Sequence, residues 1–100
     1  MTKSFSDLVE SARRLAILRA LAAAGEYTLP ESLARQALGH DGLTASGDQM
    51  AASSAWLDEQ RLLIRQQVGA TALLTLTGRG LDVARGAAVV PGVDRPLPGF

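Results

Sequence analysis

The stretch "WLDEQRLLIRQQVGATALLTLTGRGLDVA", residues 56–84, most constrains the fold, because its hydrophobic period changes along its length. It opens as the end of a helix. Two short runs in which apolar and polar residues partly alternate then follow, "LLIRQQV" and "ATALLTLT". Partial alternation indicates strands, and Gly69 between the runs supplies the positive φ of a tight hairpin turn. We therefore predict a β-hairpin of about residues 62–68 and 71–76, and then a short helix that Thr77 caps.

A first helix is predicted over about residues 7–24. Ser6 or Asp7 can cap it, and Gly25 is a natural stop at its C-terminal end. Apolar residues recur at helical spacing along this segment and predict one buried face, formed by Leu8, Ala12, Leu15, Leu18 or Ala22, and Leu21.

Two further helices are predicted between this helix and the hairpin. Thr28 and Glu31 have capping-box spacing at the start of the second, whose inner face is marked by Leu33, Ala37 and Leu38. Ser46 can cap the third, with Trp56 near its end. We expect Trp56 to lie in the core, and the alternative is a platform on which a nucleic-acid base stacks.

The order helix, helix, helix, hairpin, helix predicts a mainly α fold with a small β-hairpin, a winged helix-turn-helix, over residues 1–86. Residues 87–100 hold three of the four prolines and no helical period, which indicates an extended C-terminal arm. Such an arm either stays mobile or docks on its own domain or on a second subunit. Its apolar residues are Val89, Val90, Val93, Leu97 and Phe100.

Composition excludes several classes of protein. Ten basic and ten acidic residues cancel, so any attraction to nucleic acid must come from a local patch. The chain has no cysteine and one histidine, His40, so we expect no metal, cofactor or catalytic site and no enzyme activity. The "GRG" at 78–80 lacks the lysine of a phosphate loop. No run reaches the roughly 20 apolar residues of a membrane span, and we expect a cytoplasmic protein.

The amount and kind of apolar residues also bear on oligomeric state. Hydrophobic residues make up 47% of the chain but aromatic residues only 4%, so leucine and alanine must fill a small core. Small cores of this kind are only marginally stable. We therefore expect a homodimer.

After Trp56-Leu57 on the third helix come Leu62-Leu63-Ile64, Gly69 and Leu76-Thr77-Gly78-Arg79-Gly80. These match the "gLi" strand, the wing-tip glycine and the "LTxxG" step of winged-helix regulators of the ArsR and MarR kind, which the chain resembles. A closer resemblance is carried by five segments: Phe5-Ser6-Asp7-Leu8-Val9, Arg13-Arg14, Trp56-Leu57-Asp58-Glu59-Gln60, Leu76-Thr77-Gly78-Arg79-Gly80-Leu81-Asp82-Val83-Ala84 and Val89-Val90-Pro91-Gly92-Val93-Asp94-Arg95-Pro96. In these segments the chain resembles the small proteins of Mu-like bacteriophages that are described as ArsR-like. The resemblance implies a phage or prophage origin and a bacterial host.

A winged helix that reads double-stranded DNA places its third helix in the major groove. On that helix Gln49, Ala52 and Ser53 could meet base edges. The phosphate contacts would come from arginines at the base of the wing and on the last helix, namely Arg61, Arg65 and Arg79. We predict a DNA-binding transcriptional regulator on this basis.

The acidity of the third helix favours a second hypothesis. The helix carries Asp48, Asp58 and Glu59 but no lysine or arginine, so nothing on it neutralises phosphate. Its exposed face could instead meet a phage or host protein, and the arginines nearby could pair with Asp58, Glu59 or Asp82. Both hypotheses remain open from the sequence.

Overall fold

The computed structural model describes residues 4–97 of the chain. Its elements are α1 (Phe5–Ala23), a 3₁₀ turn (Gly25–Tyr27), β1 (Thr28–Pro30), α2 (Glu31–His40), α3 (Gly47–Glu59), β2 (Leu63–Val68), β3 (Thr71–Leu76) and α4 (Gly78–Ala84). This order confirms the predicted mainly helical fold with a small hairpin, and it is compatible with a winged-helix fold. Phe100 of the predicted arm lies outside the described residues.

The sheet contains a third strand that the sequence did not predict. Its order is β1-β3-β2, and both pairings are antiparallel. The predicted capping box at the start of α2 is wrong, because Thr28 pairs with Thr75 in the sheet and its Oγ1 donates to the carbonyl of Glu26. Pro30 precedes α2 instead, without a side-chain cap. Gly69 adopts the expected positive φ of 62° between the hairpin strands.

Side-chain caps fix the starts of the other helices. Ser4, not Ser6 or Asp7, caps α1: its Oγ accepts from the backbone N–H of Asp7, whose carboxylate accepts in return from the N–H of Ser4. The same reciprocal pair joins Ser46 to Gln49 at α3. Thr77 caps α4 as predicted, accepting from the N–H of Gly80. Each cap satisfies helix donors that have no partner within the helix.

One core lies between the helices and the inner face of the sheet. Two residues predicted to face it are instead exposed, Leu8 by 50% and Leu33 by 46%. Leu8 lies in the second turn of α1, before the buried part of that helix, and on α2 the inward positions are taken by Ala34 and Leu38. The fully buried large side chains are Ile17, Leu18, Leu21, Leu38, Met50, Leu57, Leu62, Leu63, Leu74 and Val83.

The described part of the arm docks on its own domain. Val90 and Val93 belong to the core, and the N–H of Asp94 donates to the carbonyl of Ser11 on α1 at 3.2 Å. Arg14 fixes the arm from α1, since one guanidinium nitrogen donates to the carbonyl of Gly92 at 3.1 Å. The same guanidinium lies 3.9 Å from the centroid of the Trp56 ring. Trp56 is therefore a half-buried packing residue covered by a cation.

Candidate functional site

The three base contacts predicted on α3 do not form one readable surface. Ser53 is 3% exposed, so the expectation that it faces a groove fails because it points into the protein. Gln49 is exposed, but its side-chain oxygen accepts from the N–H of Ser46 as part of the helix cap. Ala52 is exposed and offers only a methyl group. Of the polar groups that would read bases, the Ser53 hydroxyl is thus buried and the acceptor oxygen of Gln49 is already bonded.

Arg65, a predicted phosphate contact, is bound to a carboxylate inside the fold. Its Nε lies 2.8 Å from Oε1 of Glu31 and its second nitrogen lies 3.3 Å from Oε2. Ser54 on α3 donates to the same carboxylate. Burial by itself would raise the pKa of Glu31, but the hydrogen bonds from Arg65 and Ser54, with the arginine charge, outweigh it and hold that pKa below its ordinary value.

Glu31 thus joins α2, α3 and β2 through one ion pair and one hydroxyl. The sequence predicts ion pairs for the arginines, but with the nearby acids Asp58, Glu59 or Asp82. The actual partner of Arg65 is 34 residues away. Only the register of the sheet and the packing of α2 bring the two side chains together.

Asp58 accounts for part of the acidity of α3. Its carboxylate accepts the backbone N–H of Arg65 at 3.3 Å, on the edge of β2 that no strand pairs with. An unpaired strand edge invites association with other strands, and a bound carboxylate blocks one of its donors. This acid therefore has a structural role.

Arg61 occupies an unusual backbone position just after α3. The N–H of Leu62 donates to the carbonyl of Leu57 and the N–H of Arg61 to that of Asp58, which is the hydrogen-bond pattern of a Schellman motif. Its left-handed position is held by Arg61, with a φ of 61°. A residue with a Cβ in this conformation costs roughly 1–2 kcal/mol relative to glycine.

The Arg61 side chain has no hydrogen bond or ion pair within residues 4–97. It is exposed and borders a groove of about 390 Å³ that is also lined by Asp58, Glu59, Ile64 and Thr77. Its carbonyl accepts from Oγ1 of Thr77 at 2.8 Å, which ties the turn to α4. Arg79 is exposed nearby on α4, also without a side-chain partner among the described residues.

The outer face of the sheet carries no formal charge. The strand register places one set of side chains on this face: Thr28, Pro30, Ile64, Gln66, Val68, Thr71, Leu73 and Thr75. Ile64 is 56% exposed and Val68 is 49% exposed, whereas Leu74 on the opposite face is buried. We call this set the outer sheet face. Sequence reasoning missed it because it required β1 and the register of all three strands.

The described part of the chain shows neither a metal site nor a membrane-spanning helix. His40 and Asp41 lie exposed at the end of α2, and residues 4–97 contain no cluster of histidine, cysteine and acidic residues suited to a metal ion. Within the same residues no helix combines the length and apolar character needed to cross a membrane.

The chain is thus a small, mainly helical protein with a three-stranded antiparallel sheet, compatible with a winged-helix fold. The chain is 38% identical over 93 residues to the uncharacterized protein gp26 of Escherichia phage Mu, an alignment that covers 93% of this chain and 96% of gp26. The chain belongs to the family of that Mu protein, which confirms the expected relation to Mu-like phages. No family model matches the chain, and no solved structure matches it. The relation to ArsR stays a prediction.

Proposed function

We propose that this protein is a phage-encoded winged-helix module that acts by binding a phage or host protein, and neither by reading DNA nor by catalysis. The observation that carries the proposal is the distribution of charge around α3 and the wing. The helix has exposed acids at Asp48 and Glu59 and no cation, while Arg65, the one cation on the two wing strands, is held by Glu31.

Duplex DNA is a dense array of negative charges, and proteins bind it mainly by neutralising phosphates with lysine and arginine. A third helix that presents carboxylates to the major groove is repelled by the flanking phosphates. The outer sheet face beside it has no charge and two half-exposed aliphatic side chains, Ile64 and Val68. An uncharged, partly apolar surface favours a protein partner.

Photo-crosslinking in the bacterial host during phage growth tests this proposal. A photoreactive amino acid at Ile64, on the outer sheet face, should give one discrete crosslinked species that mass spectrometry identifies as a phage or host protein. The matched control places the same amino acid at Ser6, an exposed position on α1. Absence of a product specific to Ile64, or an identical product from Ser6, would contradict the proposal.

Double-stranded DNA is the second candidate partner, favoured by Arg61 and Arg79. Both arginines are exposed, Arg61 at the base of the wing and Arg79 on α4, and neither has an ion-pair partner within residues 4–97. If the protein binds DNA, Arg61→Ala and Arg79→Ala should each weaken binding to all sequences alike and reduce the salt dependence by about one counterion. Arg35→Ala is the control, since the Nε of Arg35 already donates to the carbonyl of Ala45.

A further inference from the structure

A long trough runs along α1, beside α2 and the arm. One groove of about 800 Å³ lies between α1, the end of α2 and the arm, and a second of about 380 Å³ continues between α1 and α2. The two grooves share four lining residues, so they form one surface: Ala20, Ala23, Ala37 and His40. We call this surface the α1 trough.

The floor of the α1 trough is made of alanine. Ala12, Ala16, Ala20 and Ala23 recur at helical spacing along α1, and Ala37 faces them from α2. Side chains this small let a second helix approach until the two axes are about 8 Å apart. Leu97, which is 68% exposed, stands at the side of the trough and would be covered by such an approach.

Charged residues of both signs stand on the rim. Arg19 and Arg95 are cations and Asp41 and Asp94 are anions, and all four line the larger groove. None of them makes a side-chain ion pair within residues 4–97, where the ion pairs are Arg14–Glu10 and Arg65–Glu31. The rim therefore presents two positive and two negative groups that the described fold leaves available to a partner.

We propose that the α1 trough binds the same trough of a second copy of this chain. A two-fold contact brings a surface against itself, so that away from the axis residue i of one copy meets residue j of the other, and residue j meets residue i. Because the rim carries both signs, the arginines of one copy can meet the aspartates of the other, whereas a strongly acidic or basic partner would meet like charges. The formal net charge of zero adds no long-range repulsion between copies. This interface lies away from the outer sheet face and does not depend on the function proposed above.

Light scattering after size exclusion, with sedimentation velocity from about 5 to about 200 μM, tests the interface with the full chain. The wild type should reach twice the 10.5 kDa mass of one chain. Ala16→Glu introduces a charge into the floor and should weaken dimerisation at least about tenfold. The matched control is Ala52→Glu, an exposed alanine on α3 outside the trough, which should remain dimeric.

A charge exchange tests the rim itself. The variant R19D/R95D carries only acids there, and D41R/D94R carries only cations, so each should be monomeric alone. Mixed in equal amounts they should form a heterodimer, which also shows that both variants are folded. A monomeric wild type at the highest concentration, a dimer that survives Ala16→Glu, or a mixture that stays monomeric would each overturn the proposal.

Discussion

The turns that follow α2 and α3 have the same hydrogen bonds but different residues at their left-handed position. Gly42 ends α2 with a φ of 77° and Arg61 ends α3 with a φ of 61°. In each turn one N–H reaches back five residues and its neighbour three. The turn after α4 repeats the pattern with Gly86. Two of these three helices thus end with the residue that this conformation favours, and α3 does not.

The residues at the left-handed positions differ in whether they relieve or strain the backbone. Glycine at Gly42 and Gly86 adopts this conformation without strain, whereas Arg61 is strained there and its side chain makes no hydrogen bond or ion pair within the described residues. Arg65, four residues further on, differs from Arg61 because its side chain forms an ion pair with Glu31. We infer that the fold uses Arg65 and that the side chain of Arg61 is available to a partner.

The largest effect is expected at Gly80 of α4, which packs against the turn at Arg61 and Leu62 that follows α3. A Cβ at Gly80 would lie 1.8 Å from the carbonyl oxygen of Leu62 and 2.7 Å from a methyl group of Leu76. Because the nearest atom belongs to the backbone, the clash can be relieved only by moving α4 or the turn. Gly80→Ala should therefore lower the free energy of unfolding by at least about 3 kcal/mol in urea denaturation. Gly78→Ala in the same helix is the control, because a Cβ there meets nothing within 4 Å. Equal stability of the two variants would show that α4 does not pack on this turn as described.

A smaller effect is expected at the ion pair of Arg65. Glu31→Gln keeps the shape of the side chain but removes its charge, and should lower the free energy of unfolding by about 1–2 kcal/mol. Glu59→Gln changes an exposed acid of α3 and should leave stability within about 0.5 kcal/mol of wild type.

The same pair predicts a pH dependence. Because the pKa of Glu31 is lower in the folded protein, its contribution is fully present above its ordinary value of 4.5 and is lost as the pH falls through the folded pKa. The difference in unfolding free energy between wild type and Glu31→Gln should therefore shrink on acidification. A difference that stays constant from pH 7 to pH 3, or that grows, would contradict the assignment.

The smallest expected effects come from substitutions at the left-handed positions of the turns after α2 and α3. Arg61→Gly should raise the free energy of unfolding by about 1 kcal/mol, and Gly42→Ala should lower it by about the same amount, because only Gly42 gains a Cβ at positive φ. Each change corresponds to about 4–8 °C in the thermal midpoint of a domain of this size. Loss of stability in Arg61→Gly would mean that the arginine side chain supports the fold after all.

Local signals in the sequence predicted the hairpin closely and the long-range contacts poorly. The strands Leu63–Val68 and Thr71–Leu76 lie within one residue of expectation, because Gly69 and Thr77 mark their ends by local backbone chemistry. The strand Thr28–Pro30 was missed, since it has three residues, contains a proline and exists only through its pairing with β3. Its threonine also has capping-box spacing to Glu31, which favoured a helix start.

The candidate site could be predicted only in part, because it too depends on long-range contacts. Exposed arginines and an acidic third helix were visible in the sequence, but which arginines remain available depends on contacts such as Arg65–Glu31 that join distant segments. The burial of Ser53 depends on how α3 is rotated against the core. The outer sheet face required the register of three strands, and the docking of Val90 and Val93 required the groove that receives them.

The central claim is that α3 and the wing strands offer no free cation for reading DNA, because α3 carries none and Arg65 is held by Glu31. Fluorescence anisotropy of a labelled duplex from the encoding phage, titrated with wild-type protein at about 50 mM and about 200 mM salt, tests it most directly. We predict weak binding that changes little between the two salt concentrations and is not improved by any phage sequence. Tight, sequence-dependent binding that falls a hundredfold or more at the higher salt would contradict the account.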